Sequence, residues 1–278
     1  MLAHQEICDQ TSKFRPPGFD PDEFRNRFKL RLVLKRYGAP LWSFSSRLQL
    51  MYALRDALVG HCELFKRGII HRDISMLNIL LGNKGAPAGS RGILIDLDMA
   101  VYTEGCVSSV PADPDIGTRA YQSISVVRNW SITPCPPHDH MDELEYLFYV
   151  YCYILYMFEA PGVVKKERPA LLDNWDADDL EKASDAKTIC ILTSAKTRDV
   201  APYWGKPCTT LLREFHSVVR DARNKKEDIH ATLRVDDEYK LNAYADFAQT
   251  LDVYFERTKA AFDEAIAALE QEDPMPKK

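Results

Sequence analysis

His71-Arg72-Asp73-Ile74-Ser75-Met76-Leu77-Asn78-Ile79-Leu80-Leu81 is the stretch on which the reading of this chain turns. A polar, turn-rich run gives way to three apolar residues with strand character. A second apolar run, Ile93 to Leu97, follows the glycine-rich residues 82–92, so the two runs have the pattern of a β-hairpin with a long loop. Asp96 falls near the end of that second run, 18 positions after Asn78. Taken singly, Asp73 and Asn78 are ordinary turn residues and Asp96 an ordinary strand-end residue.

Upstream, Ser46 and Gln49 are spaced as a capping box, and Leu50, Leu54, Leu58, His61 and Phe65 recur at helical intervals. Lys66 and Arg67 favour the negative end of that helix, and Gly68 suits the left-handed position that closes it. Leu30 to Lys35 alternates apolar and basic residues before the break at Tyr37-Gly38-Ala39-Pro40, which predicts a short strand ending in a turn. Residues 1–26 carry Pro16, Pro17, Gly18 and Pro21 and read as a polar, extended arm. Downstream, residues 101–140 have little periodicity and read as a long functional loop.

Leu144 to Phe158 is almost wholly apolar, but at about 15 residues it falls short of the roughly 20 that span a bilayer, so it predicts a buried core helix. Helices are expected near 178–192 and 207–222. A long amphipathic one is expected over 238–270, with Leu241, Tyr244, Ala248, Leu251, Phe255 and Phe262 on a docking stripe. The fold class is therefore α+β, mainly helical.

Composition narrows the function. A net charge of −5 supplies no basic footprint for nucleic acid or an anionic membrane, so neither is an expected partner. Seven cysteines with no C-x-x-C pair suggest neither a disulfide framework nor a zinc finger, and an intracellular location is expected. His138 and His140, beside Asp139 and Asp142, suggest a metal site at first sight, but without a third spaced ligand they are expected to be solvated loop residues, and the acidic run Asp173 to Glu181 a solvated helix approach.

The quoted stretch resembles the protein-kinase catalytic loop H-R-D-x-x-x-x-N, and Asp96-Leu97-Asp98 resembles the D-F-G-type segment that follows it. His-Arg-Asp-Ile-Ser, in place of the commoner His-Arg-Asp-Leu-Lys, and Asp-Leu-Asp are similar to the fungal-type protein kinases. Leu32 to Leu41 resembles that family's fifth strand and hinge, Gly117-Thr118-Arg119-Ala120-Tyr121-Gln122 its substrate-docking segment, and His138 to Val150 its D-L-E-S helix.

The resemblance implies a protein-kinase-like C-lobe with a truncated N-lobe, laid out as an arm (1–26), a kinase-like domain (27–220) and a helical C-terminal extension (221–278). It implies ATP and Mg²⁺ as cofactors and transfer of the γ-phosphate to Ser or Thr of a protein substrate. Asp73 becomes the base, flanked by Arg72 and Ser75. Asn78 and Asp96 become the magnesium ligands, and Leu34, Arg36, Tyr37, Gly38 and Leu80 the nucleotide contacts. The residue types suit that chemistry, because phosphoryl transfer needs a carboxylate to orient the attacking hydroxyl and oxygen ligands on magnesium.

There are departures. The sequence holds no G-x-G-x-x-G and no V-A-I-K-type lysine. Removing one charge-stabilising group typically slows catalysis by about 10² to 10³, so little activity is expected of these residues alone. Ser125 stands where the family's closing Glu is expected, and the acid that anchors the catalytic loop is either Asp142 or Glu143. A pseudokinase that binds a regulatory protein and a small-molecule phosphotransferase are the competing readings. Arg72 and the Gly117-Thr118 segment favour a protein substrate over a small molecule.

Overall fold

Helix α1, Arg47–Lys66, begins where Ser46 accepts the Gln49 N–H, while the Gln49 side chain turns back to the Ser45 N–H and hydroxyl. It ends at Arg67, with Gly68 at φ +68°. The computed structural model describes residues 3–16, 18, 26, 28–33, 37–103, 112–129, 137–231 and 237–272. They fall into two compact units, one ending at Tyr37 and the other beginning at Gly38.

The first unit is a two-stranded antiparallel ribbon of β1, Ala3–Gln10, and β2, Phe28–Val33, with Ala3 opposite Val33 and Gln10 opposite Phe28. Asn26 tightens the end where the two strands are joined, accepting from the Ser12 N–H and Thr11 hydroxyl and donating to Gln10. A paired strand thus stands where the sequence suggests an extended arm. The prolines behind that expectation, at 16, 17 and 21, all lie beyond β1 and leave its backbone donors intact.

The second unit is mainly helical with small sheets. After α1, β3 (Ile69–Ile70) enters the quoted loop, and β4 (Ile79–Leu81) pairs antiparallel with β5 (Gly92–Leu94) as the expected hairpin. The strand β6 (Val101–Tyr102) returns to pair with β3. A single-turn helix, α2 (Ile124–Val127), precedes α3 (His140–Met157), which is buried along nearly its whole length as its apolar sequence requires. Asp139 caps α3 and Asp142 completes a reciprocal capping box.

A short ribbon of β7 (Phe158–Ala160) and β8 (Val163–Val164) leads to α4 (Ala170–Trp175) and α5 (Leu180–Leu192). Three helices finish the chain: α6 (Gly205–Ala231), α7 (Asp237–Ala248) and α8 (Leu251–Glu272). Helix α6 runs unbroken through the boundary expected at 220.

The single helix expected over 238–270 is two, because Thr250 turns its hydroxyl back to the Phe247 carbonyl and closes α7 before α8 starts. Of the expected stripe, the side chains of Leu241 and Ala248 lie outside the described ones, and Tyr244, Leu251, Phe255 and Phe262 are buried, with α8 packed on α1 and α6. Burial of each such side chain contributes about 1.5–3 kcal/mol. No helix among the described residues is long and apolar enough to cross a membrane.

Candidate functional site

The loop between β3 and β4 is built around the Asp73 carboxylate. Asn78 Nδ2 donates to Asp73 Oδ2 at 2.9 Å and to the Asp73 carbonyl at 2.9 Å. On the other side, the Thr118 N–H and hydroxyl both donate to Asp73 Oδ1, at 2.9 and 2.8 Å. Ser75 is buried and shapes the turn: its Oγ accepts the Leu77 N–H and its carbonyl accepts the Asn78 N–H. His71, also buried, reaches the Ile95 carbonyl at 3.0 Å.

Arg72 (φ +71°) and Asp96 (φ +67°) are the two non-glycine residues in the left-handed region among the described residues. That conformation costs about 1–2 kcal/mol for a residue with a Cβ and persists only where surroundings impose it. For Arg72 the restraint is Glu143, whose Oε1 accepts the Arg72 N–H. The acid beneath the loop is therefore Glu143, which settles the choice that the sequence leaves open. Asp96 follows Ile95, whose N–H donates to the Asn78 carbonyl at 2.9 Å, and it is exposed.

The Gly117–Gln122 segment lies against this loop. A Cβ on Gly117 (φ +95°) would fall 2.6 Å from the Arg72 carbonyl, so only glycine permits the approach. Behind the segment, the wholly buried Lys187 donates to the Arg119 and Gln122 carbonyls at 2.7 and 2.6 Å, with its Nζ 4.9 Å from the Tyr149 ring centroid. Burial pushes the Lys187 amine down to about 7.

Lys226 of α6 meets Asp139 at 2.8 Å and Asp142 at 3.0 Å, all three buried. Burial opposes the charge on Lys226, but the two carboxylates outweigh it and hold its pKa above the usual lysine range.

Of the expected nucleotide contacts, Leu34 and Arg36 lie outside the described residues. Tyr37 is exposed, at 54%. Gly38 sits against β4, where a Cβ would be 1.7 Å from the Leu81 carbonyl, and the neighbouring Pro40 bridges to Leu80. Gly38 and Leu80 are thus brought close, some way along the hairpin from Asp96.

His138 and His140 are not solvated: each is 1% exposed. Burial and the adjacent His61 push the His140 imidazole down to about 3. His61, His140 and Glu143 offer three ligand atoms within 4.8 Å of one another. Burial alone would raise the Glu143 pKa, yet the hydrogen bond from His61 outweighs it and holds the carboxyl at about 2. The sequence offers no local signal for this cluster, because His61 and Glu143 are 82 residues apart.

With this geometry in hand, comparison with protein families gives a match to the fungal protein kinase model over residues 3–155, more than half of the chain. The chain belongs to the fungal protein kinase family. The match begins earlier than residue 27, taking in the β1–β2 ribbon, and ends within α3. Comparison with curated proteins yields no match.

Proposed function

We propose that the chain carries the phosphoryl-transfer machinery of a protein serine/threonine kinase, arranged as a kinase C-lobe. The observation that carries this reading is the Asp73 carboxylate, oriented on one oxygen by Asn78 and on the other by Thr118 of the docking segment. A base fixed in this way can accept the proton of a substrate hydroxyl as it attacks phosphorus. A protein substrate suits the site, since the segment expected to receive it is the one that touches the base.

Asn78 spends its amide nitrogen on Asp73, leaving its side-chain carbonyl for a cation, and the exposed Asp96 carboxylate lies on the adjoining strand end. These are the hard oxygen donors that suit Mg²⁺, which supplies charge neutralisation between the phosphates of ATP. Gly38 and Leu80 are assigned to the adenine. No glycine-rich loop covers the phosphates within this sequence, so affinity for nucleotide is weak and depends on the metal.

Thermal denaturation of the chain with ATP, with and without Mg²⁺, tests the reading. A small stabilisation that needs Mg²⁺ and disappears in Asp96→Asn is expected, because a ligand of the folded state alone raises apparent stability. Transfer of labelled γ-phosphate to Ser/Thr peptides, lost in Asp73→Asn, would extend this from binding to catalysis. No response at millimolar ATP would replace it with a scaffold that binds a regulatory protein.

A further inference from the structure

Helix α3 presents His140 and Glu143 one turn apart on the face that meets His61 of α1. The three residues are 1%, 0% and 1% exposed for His140, Glu143 and His61, walled by the rings of Phe65 and Phe255. Their facing atoms form a triangle. His61 Nε2 lies 2.8 Å from Glu143 Oε2, His140 Nδ1 lies 3.4 Å from His61 Nε2, and His140 Nδ1 lies 3.7 Å from Glu143 Oε2.

Hydrogen bonding alone serves this triangle poorly. If His61 carries its proton on Nε2, that proton goes to Glu143 and the nearby His140 Nδ1 lone pair faces the same donor. The His61 Nδ1 atom is buried with no hydrogen-bond partner whether or not a cation occupies Nε2, so it is the triangle itself that favours a cation. A cation at the centre would draw on all three convergent lone pairs at once. A tetrahedral ion with bonds of about 2.0–2.1 Å separates its ligands by about 3.3 Å, a value that the three edges bracket.

We propose that His61, His140 and Glu143 form a site for a Zn²⁺-class ion whose fourth position is left to water, distinct from the oxygen-donor site at Asn78 and Asp96. Two imidazoles and one carboxylate suit zinc, whereas Mg²⁺ takes oxygen ligands and retains much of its water. The ion binds through Glu143 Oε2 while Oε1 keeps the Arg72 N–H. It therefore ties α1 and α3 to the backbone on which Asp73 sits, and it acts as a brace with no part in phosphoryl transfer.

The test is the metal content of the full chain, folded and reconstituted with Zn²⁺, dialysed and measured by mass spectrometry. About one Zn²⁺ per chain is expected, with a melting temperature that falls on chelation and is not restored by Mg²⁺. The paired His61→Gln/His140→Gln variant should hold almost none. Retention of zinc in that variant would assign the metal to the cysteines and overturn the site. Should the variant fail to fold, Co²⁺-loaded wild type decides: visible absorption of a tetrahedral ion without a thiolate charge-transfer band supports the site, and a thiolate band overturns it. A folded wild type holding less than about a tenth of an equivalent after reconstitution also overturns it.

Discussion

The loop His71–Asn78 and the turn at Asp96–Asp98 are joined through the Ile95 N–H and the Asn78 carbonyl, yet they are held by opposite means. In the loop, polar groups fix the backbone and side chains in advance: Glu143 holds the Arg72 N–H, and Asn78 and Thr118 grip both oxygens of Asp73. In the turn, Asp96, Leu97 and Asp98 are all exposed, and the closing bond is the backbone pair from the Ala100 N–H to the Leu97 carbonyl. The difference suits the two roles proposed above: a base benefits from preorganisation, whereas a carboxylate that is to hold a metal can gain its position when the metal arrives.

The sharpest way to break this contrast is to remove the support beneath the loop. Glu143→Ala leaves a buried histidine pair and a left-handed Arg72 without their acceptor, and it should lower unfolding free energy by about 3–5 kcal/mol. Asp98→Asn, on the exposed turn, should change it by less than about 0.5 kcal/mol. Urea denaturation of both variants reads the two values, and similar small losses would erase the distinction.

A second effect should appear on the Gly117–Gln122 segment as a dependence on pH. The folded Lys187 amine titrates near 7 against an ordinary 10.5, because burial disfavours its charge. Between those values the unfolded chain binds a proton that the folded chain does not. Stability therefore rises with pH across that window, by at most about 1.4 kcal/mol per unit, and this contribution levels off below 7, where both states are protonated. The neutral amine still has two N–H groups for the Arg119 and Gln122 carbonyls. Denaturation midpoints from pH 7 to 10 should lose this slope in Lys187→Met, and an unchanged slope would place the titration elsewhere.

The smallest of these effects concerns Thr118. Thr118→Val keeps the backbone bond to Asp73 and the side-chain shape but deletes the hydroxyl bond, a loss of about 1 kcal/mol. If stability does not change, the side-chain hydroxyl does not hold the carboxylate.

What the sequence discloses about this molecule is mostly local. Ser46 and Gly68 mark the ends of α1 because caps act on adjacent backbone groups, and the apolar run of α3 announces its burial. The quoted loop is readable because its chemistry is packed into a few consecutive positions. The supports are not readable, because they come from distant elements: His61 and Glu143 meet across 82 residues, and Lys226 and Asp139 across 87. The same limit explains the histidines, since neither His138 nor His140 shows in its own neighbourhood the packing that buries it. The break between α7 and α8 escaped the periodicity because the apolar stripe keeps its phase across a single turn.

Asp142 carries a consequence for how the fold opens. Its Oδ1 accepts the Ser123 hydroxyl at 2.7 Å and Lys226 Nζ at 3.0 Å, while its Oδ2 accepts the Asp139 N–H at 2.9 Å. One carboxylate thus serves the residue that caps α2, the first turn of α3 and the C-terminal part of α6. None of these three can fray alone without stranding a buried charge, so they should open together. In hydrogen exchange, the amides of the single-turn α2, which its length would leave weakly protected, should exchange in step with the start of α3 and share its protection.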